Sequence, residues 1–280
     1  MAVVSAGRME GQSDGGLAAT CRVVRCGPRA RRLDVCIGRP TSVVASRRSG
    51  CVHGLLFATA EKDGDPLSQA LLAAELQAFQ IQLPADQLDR LLAYHAQLLA
   101  WNERLNLTRH VDLSTFVQRD VLDSWQLAQW LEKGERVLDV GTGGGVPGIL
   151  IAILRPDLRV SLCDSVGKKA AAVSDIVREL KLPVTVHASR AEPLLEHQKF
   201  DSLVFRAVGP LEKILRAVEP HWGAFKRLLM IKGPAWTEER LAARHRGLLN
   251  QLELRRLASY RPPGHYGDSV ILTVFPKADS

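Results

Sequence analysis

The sequence predicts an α/β fold: a mostly parallel sheet flanked by helices, closed by an antiparallel hairpin and preceded by a helical N-terminal part. Three observations carry this reading. Val137-Leu138-Asp139-Val140-Gly141-Thr142-Gly143-Gly144-Gly145-Val146-Pro147-Gly148 lies between two apolar runs and reads as strand, tight loop and helix. Downstream, short apolar runs alternate with helical stretches, the order that gives parallel strands joined by helical crossovers. Upstream, residues 66–132 carry helical periodicity and no strand signal.

Taken in order, Leu67 to Ile81 is rich in Ala, Leu and Gln and is expected to be helical. Pro84 starts a second helix, with Leu88, Leu91, Leu92, His95, Leu98, Leu99 and Asn102 along one face. His95 on that stripe reads as a packed, hydrogen-bonded side chain in preference to a catalytic one. A third helix is expected from about Ser114 to Leu131, with Asp112 or Ser114 as N-cap. After the glycine loop, strands are expected at 159–164, 184–188, 202–205 and 227–232, and helices at 167–181, 211–222 and 237–252. Two consecutive strands, about 254–260 and 269–275, form the closing hairpin.

Charge and cysteine are unevenly distributed. Residues 1–60 hold nine Arg against three acids, leaving 28 basic against 27 acidic residues in the remainder of a chain of net charge +7. The basic balance therefore says little about nucleic-acid binding by the folded part. Residues 1–60 lack any sustained period. They read as a disordered extension or the product of a start codon set too far upstream, as a transit peptide, or as a basic arm for RNA. Cys21, Cys26, Cys36 and Cys51 fall in the same stretch, with no CxxC pair, so no metal site is expected and a reduced, cytoplasmic chain is the simpler reading. No apolar run approaches the length of a membrane span. The expected organisation is thus an extension over 1–60, a helical part over 66–132 and a ligand-binding core over 133–280.

Glycine admits φ > 0 and lets a ligand approach without a Cβ in the way. A glycine loop opening a helix, whose free N–H groups face outward, is a common seat for nucleotide-like ligands. Two such ligands compete. A dinucleotide fingerprint can be laid over Gly143, Gly145 and Gly148, with Asp164 at a suitable distance, but Pro147 would fall inside the turn and nothing later resembles a hydride-transfer site. S-adenosyl-L-methionine requires an acid before the loop (Asp139), a glycine turn (Gly141, Gly143), and an acid closing the next strand. Asp164 is that acid, since a carboxylate accepts two hydroxyl hydrogen bonds and can clasp a ribose; capping of the following helix is the lesser alternative. Ala191-Glu192, just after a strand, suits a backbone N–H and a carboxylate reading an adenine edge, or a solvated first helical turn. Arg206 at a strand end could be a ligand contact or a structural ion pair.

Several blocks in order resemble one family. Asp139 to Ile149 followed by Arg155-Pro156 resembles the signature of the glucose-inhibited division protein B family, bacterial methyltransferases that act on N7 of one guanine in 16S ribosomal RNA. Trp101-Asn102 with Asn106-Leu107-Thr108, Arg119 with Leu122-Asp123-Ser124, Asp164-Ser165-Val166-Gly167-Lys168-Lys169, Ser189-Arg190-Ala191-Glu192, Arg206-Ala207 and Lys232-Gly233 match further blocks, from about residue 70 to the C-terminus. Two places depart from the family pattern: Asp120 stands where His is usual, and Asp268-Ser269-Val270 replaces a segment that usually carries Arg-His.

The resemblance implies a Rossmann-like class I methyltransferase fold with S-adenosyl-L-methionine as cofactor. It also implies 16S rRNA or the small ribosomal subunit as partner, and a chain acting as a monomer away from membranes. Implied cofactor contacts are Gly141, Gly143 and Val146 in the loop, Asp164 at the ribose, Ala191 and Glu192 at the adenine, and Arg206 near the reacting end. No residue is implied as a catalytic base, because guanine N7 carries an exposed lone pair. Lys168, Lys169, Arg119, Arg190 and Lys232 are candidate phosphate contacts. A nicotinamide-dependent oxidoreductase and an RNA-binding relative without turnover are the alternatives.

Overall fold

The computed structural model describes residues 65–264 and 266–277. The expectations for residues 1–60 therefore lie outside the described residues. Among the described residues, the strands are β1 (Arg136–Val140), β2 (Arg159–Cys163), β3 (Thr185–His187), β4 (Ser202–Arg206), β5 (Arg227–Lys232), β6 (Leu252–Tyr260) and β7 (Ser269–Pro276). They form one sheet in the order β3-β2-β1-β4-β5-β7-β6. The first five are parallel, and β7 inserts antiparallel between β5 and β6. The chain therefore runs outward from β1 to β3, returns, and runs outward again on the other side. The gap between the ends of β1 and β4 is the point where such sheets accept ligands, because the two flanking loops leave in opposite directions.

The helical part comprises α1 (Pro66–Gln77), α2 (Ala85–Leu105), a short α3 (Leu113–Thr115), a π-helical segment (Phe116–Val121) and α4 (Leu122–Ala128). Asp65 caps α1 through Leu67 N–H, and Asp112 caps α3 through Thr115 N–H at 2.8 Å. Asn106, in a left-handed conformation, ends α2. The expected third helix thus begins at Leu113 and ends at Ala128, and its middle carries a wider turn that periodicity alone does not indicate.

After β1 come α5 (Gly148–Leu154), α6 (Gly167–Glu179), α7 (Ala191–His197), α8 (Leu211–Val218), a 3-10 turn (Glu219–Ala224) and α9 (Trp236–His245). Every residue of α5 is buried, as its unbroken Ile-Leu-Ile-Ala-Ile-Leu run requires. The expected helix to Leu252 stops at His245, because Gly247 takes φ +75° and turns the chain.

The helical part and the sheet share one apolar core. Leu72, Leu91, Tyr94, Leu98, Phe116 and Leu127 pack in the same cluster as Val137, Ile149, Ile151 and Leu162. A second cluster, with Phe200, Phe205, Leu215, Leu228 and Leu272, fills the opposite face. Helices α2 and α4 both contact α5, so the N-terminal helices lie directly against the helix that the glycine loop opens.

Candidate cofactor site

The glycine loop is held by its own backbone. Gly141 and Thr142 N–H donate to the Cys163 carbonyl at 2.8 and 3.1 Å, tying the loop to the end of β2. Gly145 and Val146 N–H donate back to the Thr142 carbonyl at 2.9 and 3.1 Å. Asp139 Oδ2 accepts from the Thr142 hydroxyl at 2.6 Å and from Gly148 N–H at 2.9 Å, which joins the two ends of the loop. Asp139 is buried, and its Oδ1 has no partner. Burial pushes this carboxyl up to about 6, against the hydrogen bonds from Thr142 and Gly148.

The expectation that the helix opened by the loop presents free, outward-facing N–H groups needs correction, since Gly148 N–H donates to Asp139 and Ile149 N–H to the Gly145 carbonyl, and the loop before it is engaged in the same way. The N–H groups of residues 141, 142, 143, 145, 146 and 148 turn to protein acceptors. What glycine contributes is shape. Gly141 and Gly143 take φ of +71° and +60°, and a Cβ at Gly143 would meet nothing within 4 Å, so that residue presents bare backbone to open space. Gly148, by contrast, is forced by packing, since a Cβ there would lie 2.1 Å from Leu162 Cδ2.

Asp164 closes β2 beside this opening. Its Oδ2 accepts Gly143 N–H at 2.9 Å and its Oδ1 accepts Val166 N–H at 2.8 Å. Val166, and not Asp164, is the N-cap of α6. Each carboxylate oxygen keeps a second lone pair, so the group retains capacity for two hydroxyl donors. Ala191 and Glu192 are the first two residues of α7, the former buried and the latter half-buried. Burial is the main cause that pushes the Cys163 thiol up to about 12, and the charges of Asp139, Asp164 and Glu192 add to it. Val146 is half-buried and packs against the core beneath the loop. An open glycine, a carboxylate with free lone pairs and a second acid around one strand end suit a ribose and an adenine. The donor set fits S-adenosyl-L-methionine.

Across the opening, the end of β4 is built differently. Arg206 Nη1 lies 2.7 Å from Asp120 Oδ1, and its Nε donates to Asp123 Oδ2 at 3.1 Å. His110 Nδ1 donates to the same Asp120 oxygen at 2.9 Å, and the Tyr260 hydroxyl donates to Asp123 Oδ1 at 2.7 Å. Both acids are 2% exposed. Burial pushes the Asp120 carboxyl up, but His110 and Arg206 outweigh it and hold the group below the usual range. At Asp123 burial prevails over Arg206 and Tyr260, and the carboxyl is raised. The π-helical turn carries Asp120 and α4 carries Asp123, so the two acids come from consecutive helical segments.

Loop residues 141, 143 and 146, together with Asp164, Ala191 and Glu192, follow the ends of β1, β2 and β3, whereas Arg206 ends β4, the strand beside β1, with its guanidinium engaged by two acids. In the sequence Asp123 stands out only as part of a motif and Asp120 only as a departure from one, and neither His110 nor Tyr260 is marked there by any signal. The departure at Asp120 introduces a carboxylate that Arg206 and His110 answer. Asp268, in the second departure, pairs with Arg261 at 2.7 Å. Lys232 is withdrawn from the candidate phosphate contacts: it is 9% exposed and donates to Glu239 at 2.8 Å and to the Gly209 carbonyl at 2.5 Å. His95 is packed as expected, stacked on Phe116 at 4.6 Å, and burial lowers its pKa.

Residues 87–262 match the family model described as rRNA small subunit methyltransferase G. A ribosomal RNA small subunit methyltransferase G of Rhodopirellula baltica is 51% identical over 185 residues, 66% of this chain and 80% of that protein. Its counterpart in Pseudomonas aeruginosa is 40% identical over 160 residues, 57% and 75% of the two chains. That of an Anaeromyxobacter species is 35% identical over 182 residues, 64% and 85%. The match begins within α2, runs through the glycine loop and reaches the end of β6, and it sets aside the nicotinamide alternative. On this match the chain belongs to the rRNA small subunit methyltransferase G family.

Proposed function

We infer that the chain transfers a methyl group from S-adenosyl-L-methionine to N7 of one guanine in 16S ribosomal RNA. The observation that carries the cofactor half is the open Gly143 beside Asp164 at the topological switch point; family membership carries the acceptor half. S-adenosyl-L-methionine, when bound, supplies an electrophilic methyl on a sulfonium. Asp164 holds the ribose hydroxyls through its remaining lone pairs, Gly143 leaves room beside it, and Ala191 with Glu192 borders the adenine. Gly141 and Val146 shape the floor of the site. Arg206, fixed by Asp120 and Asp123, forms the wall that faces the acceptor.

Guanine N7 needs no proton removed before it attacks, so the side chains act by position and alignment. N7 faces the deep, narrow major groove of A-form RNA, which places the target in a loop or a distorted helix. Lys168 and Arg190, exposed beside the Asp164 and Ala191 segments, are the phosphate contacts in this reading. The reading has the chain act alone, on ribosomal RNA in the cytoplasm; no helix among the described residues is long and apolar enough to cross a membrane.

The test incubates the full chain with S-adenosyl-L-methionine and unmethylated 16S RNA or small subunits, followed by borohydride and aniline, which cleave at N7-methylguanine. One discrete cleavage is expected. Methyl transfer without cleavage would move the target atom, and no transfer to either substrate would overturn the reading.

A further inference from the structure

Tyr94, on α2, is wholly buried, and its hydroxyl donates to the Gly144 carbonyl at 2.9 Å. The contact spans 50 residues and joins the helical part to the middle of the glycine loop. Two further contacts converge on the same peptide. A Cβ at Gly144 would lie 3.0 Å from Leu98 Cδ1 and 3.2 Å from the Leu107 carbonyl. Consecutive loop residues thus face opposite ways: Gly143 looks into open space, and Gly144 is pressed against α2 and the segment that follows it. Gly143 and Gly144 share a peptide, and Tyr94 holds the carbonyl at the far end of Gly144, so the loop is anchored one residue beyond the open position. Its ring is held in turn by Phe116, with centroids 6.0 Å apart.

We propose that Tyr94 is a positioning residue for the cofactor, setting the open face of Gly143 by anchoring the Gly144 carbonyl from the helical part. On this account α2 is a component of the cofactor site although it contributes no surface to it. A buried carbonyl that loses its donor seeks another arrangement, and a glycine peptide has the freedom to rotate toward one. Burial keeps the phenol protonated, so the anchor holds across the working pH range. The proposal rests on the cofactor reading above.

The experiment measures binding of S-adenosylhomocysteine to the full chain by calorimetry, together with methyl-transfer kinetics. Tyr94→Phe keeps the ring and removes the hydroxyl; a five- to tenfold rise in Kd and in KM for the cofactor is expected, with kcat at saturation within twofold. Leu98→Ala, which frees the other side of Gly144, should raise Kd two- to fourfold and serves if Tyr94→Phe does not fold. Leu76→Ala, on α1 and 1% exposed, separates stability from positioning: it should lower Tm at least as much and leave Kd unchanged. Kd within twofold of the unaltered chain for a folded Tyr94→Phe, or for Leu98→Ala where Tyr94→Phe does not fold, or an equal rise for Leu76→Ala, would overturn the proposal. Failure of the unaltered chain to bind would overturn the cofactor reading and this proposal with it.

Discussion

The two sides of the switch point are built from different materials. On the β1–β3 side, position comes from backbone: glycine conformations, carbonyl acceptors and one carboxylate that gathers N–H groups from two segments. On the β4 side it comes from long side chains, a guanidinium gripped by two carboxylates that are gripped in turn by an imidazole and a phenol. A nucleoside cofactor of fixed shape suits a rigid backbone cradle. On the function proposed above, the β4 side has to admit part of a large RNA, and a wall of paired charges would keep its form without closing the opening. The first side fails by steric intrusion, the second by loss of charge balance.

The largest effect should therefore follow from unbalancing the second side. Arg206→Met removes the one guanidinium that contacts both buried acids, Asp120 and Asp123, and removal of one partner from a buried charge cluster costs about 3–5 kcal/mol. Arg206 is 14% exposed and each acid 2%, so solvent screens little of this. The loss should shrink as pH falls from 8 to 5, because the stranded carboxyls take up protons in the native state before they do so unfolded. Denaturant titrations at the two pH values check this; an equal loss at both would mean that packing, not charge, holds this side together.

The first side should fail differently. In Gly148→Ala the new methyl would meet Leu162 Cδ2 at 2.1 Å, Asp139 Oδ2 at 2.7 Å and Asp139 Cβ at 2.8 Å, with β1 and β2 unable to separate. About 3 kcal/mol is expected, the upper end for an overpacked site, with little dependence on pH. The same pair of titrations reads it, and a pH-dependent loss would erase the contrast between the two sides.

This contrast also decides which parts are legible in the amino-acid sequence. The glycine loop, Asp164 and Ala191-Glu192 are local features, each visible within about a dozen residues, and the strands fall within a residue or two of expectation because apolar runs between turn formers have few alternatives. Element ends are less legible: the stop of α9 at His245 hangs on one left-handed glycine, and the π-helical turn on packing beneath Phe116 and Val117. The pairing within the charge cluster is not legible, although Arg206 alone reads as a possible ion pair, since Arg206 reaches Asp123 across 83 residues and Tyr260 reaches it across 137. One signal does point toward it. Asp120 lies in an apolar stretch among Phe116, Val117 and Val121, and an acid there demands a cation from elsewhere.

The smallest effect concerns Asp139, which belongs to the backbone side but carries a charge. Between about pH 4, where the carboxyl ionises in the unfolded chain, and about 6, where it ionises in the folded one, the native state binds the extra proton. Its contribution to stability is then full below about pH 4 and is lost as pH rises through about 6. Asp139→Asn removes that dependence while keeping an oxygen for Gly148 N–H. The unsatisfied amide it leaves behind carries a penalty of its own, but that penalty does not change with pH. Relative to the variant, the unaltered protein should therefore lose on the order of 2–3 kcal/mol between pH 4 and pH 7, at about 1.4 kcal/mol per unit of displacement. Parallel stability curves for the two proteins would show that the charge on Asp139 is solvated by the loop as well as by water. In that case the backbone side would be as much an electrostatic construction as the β4 side.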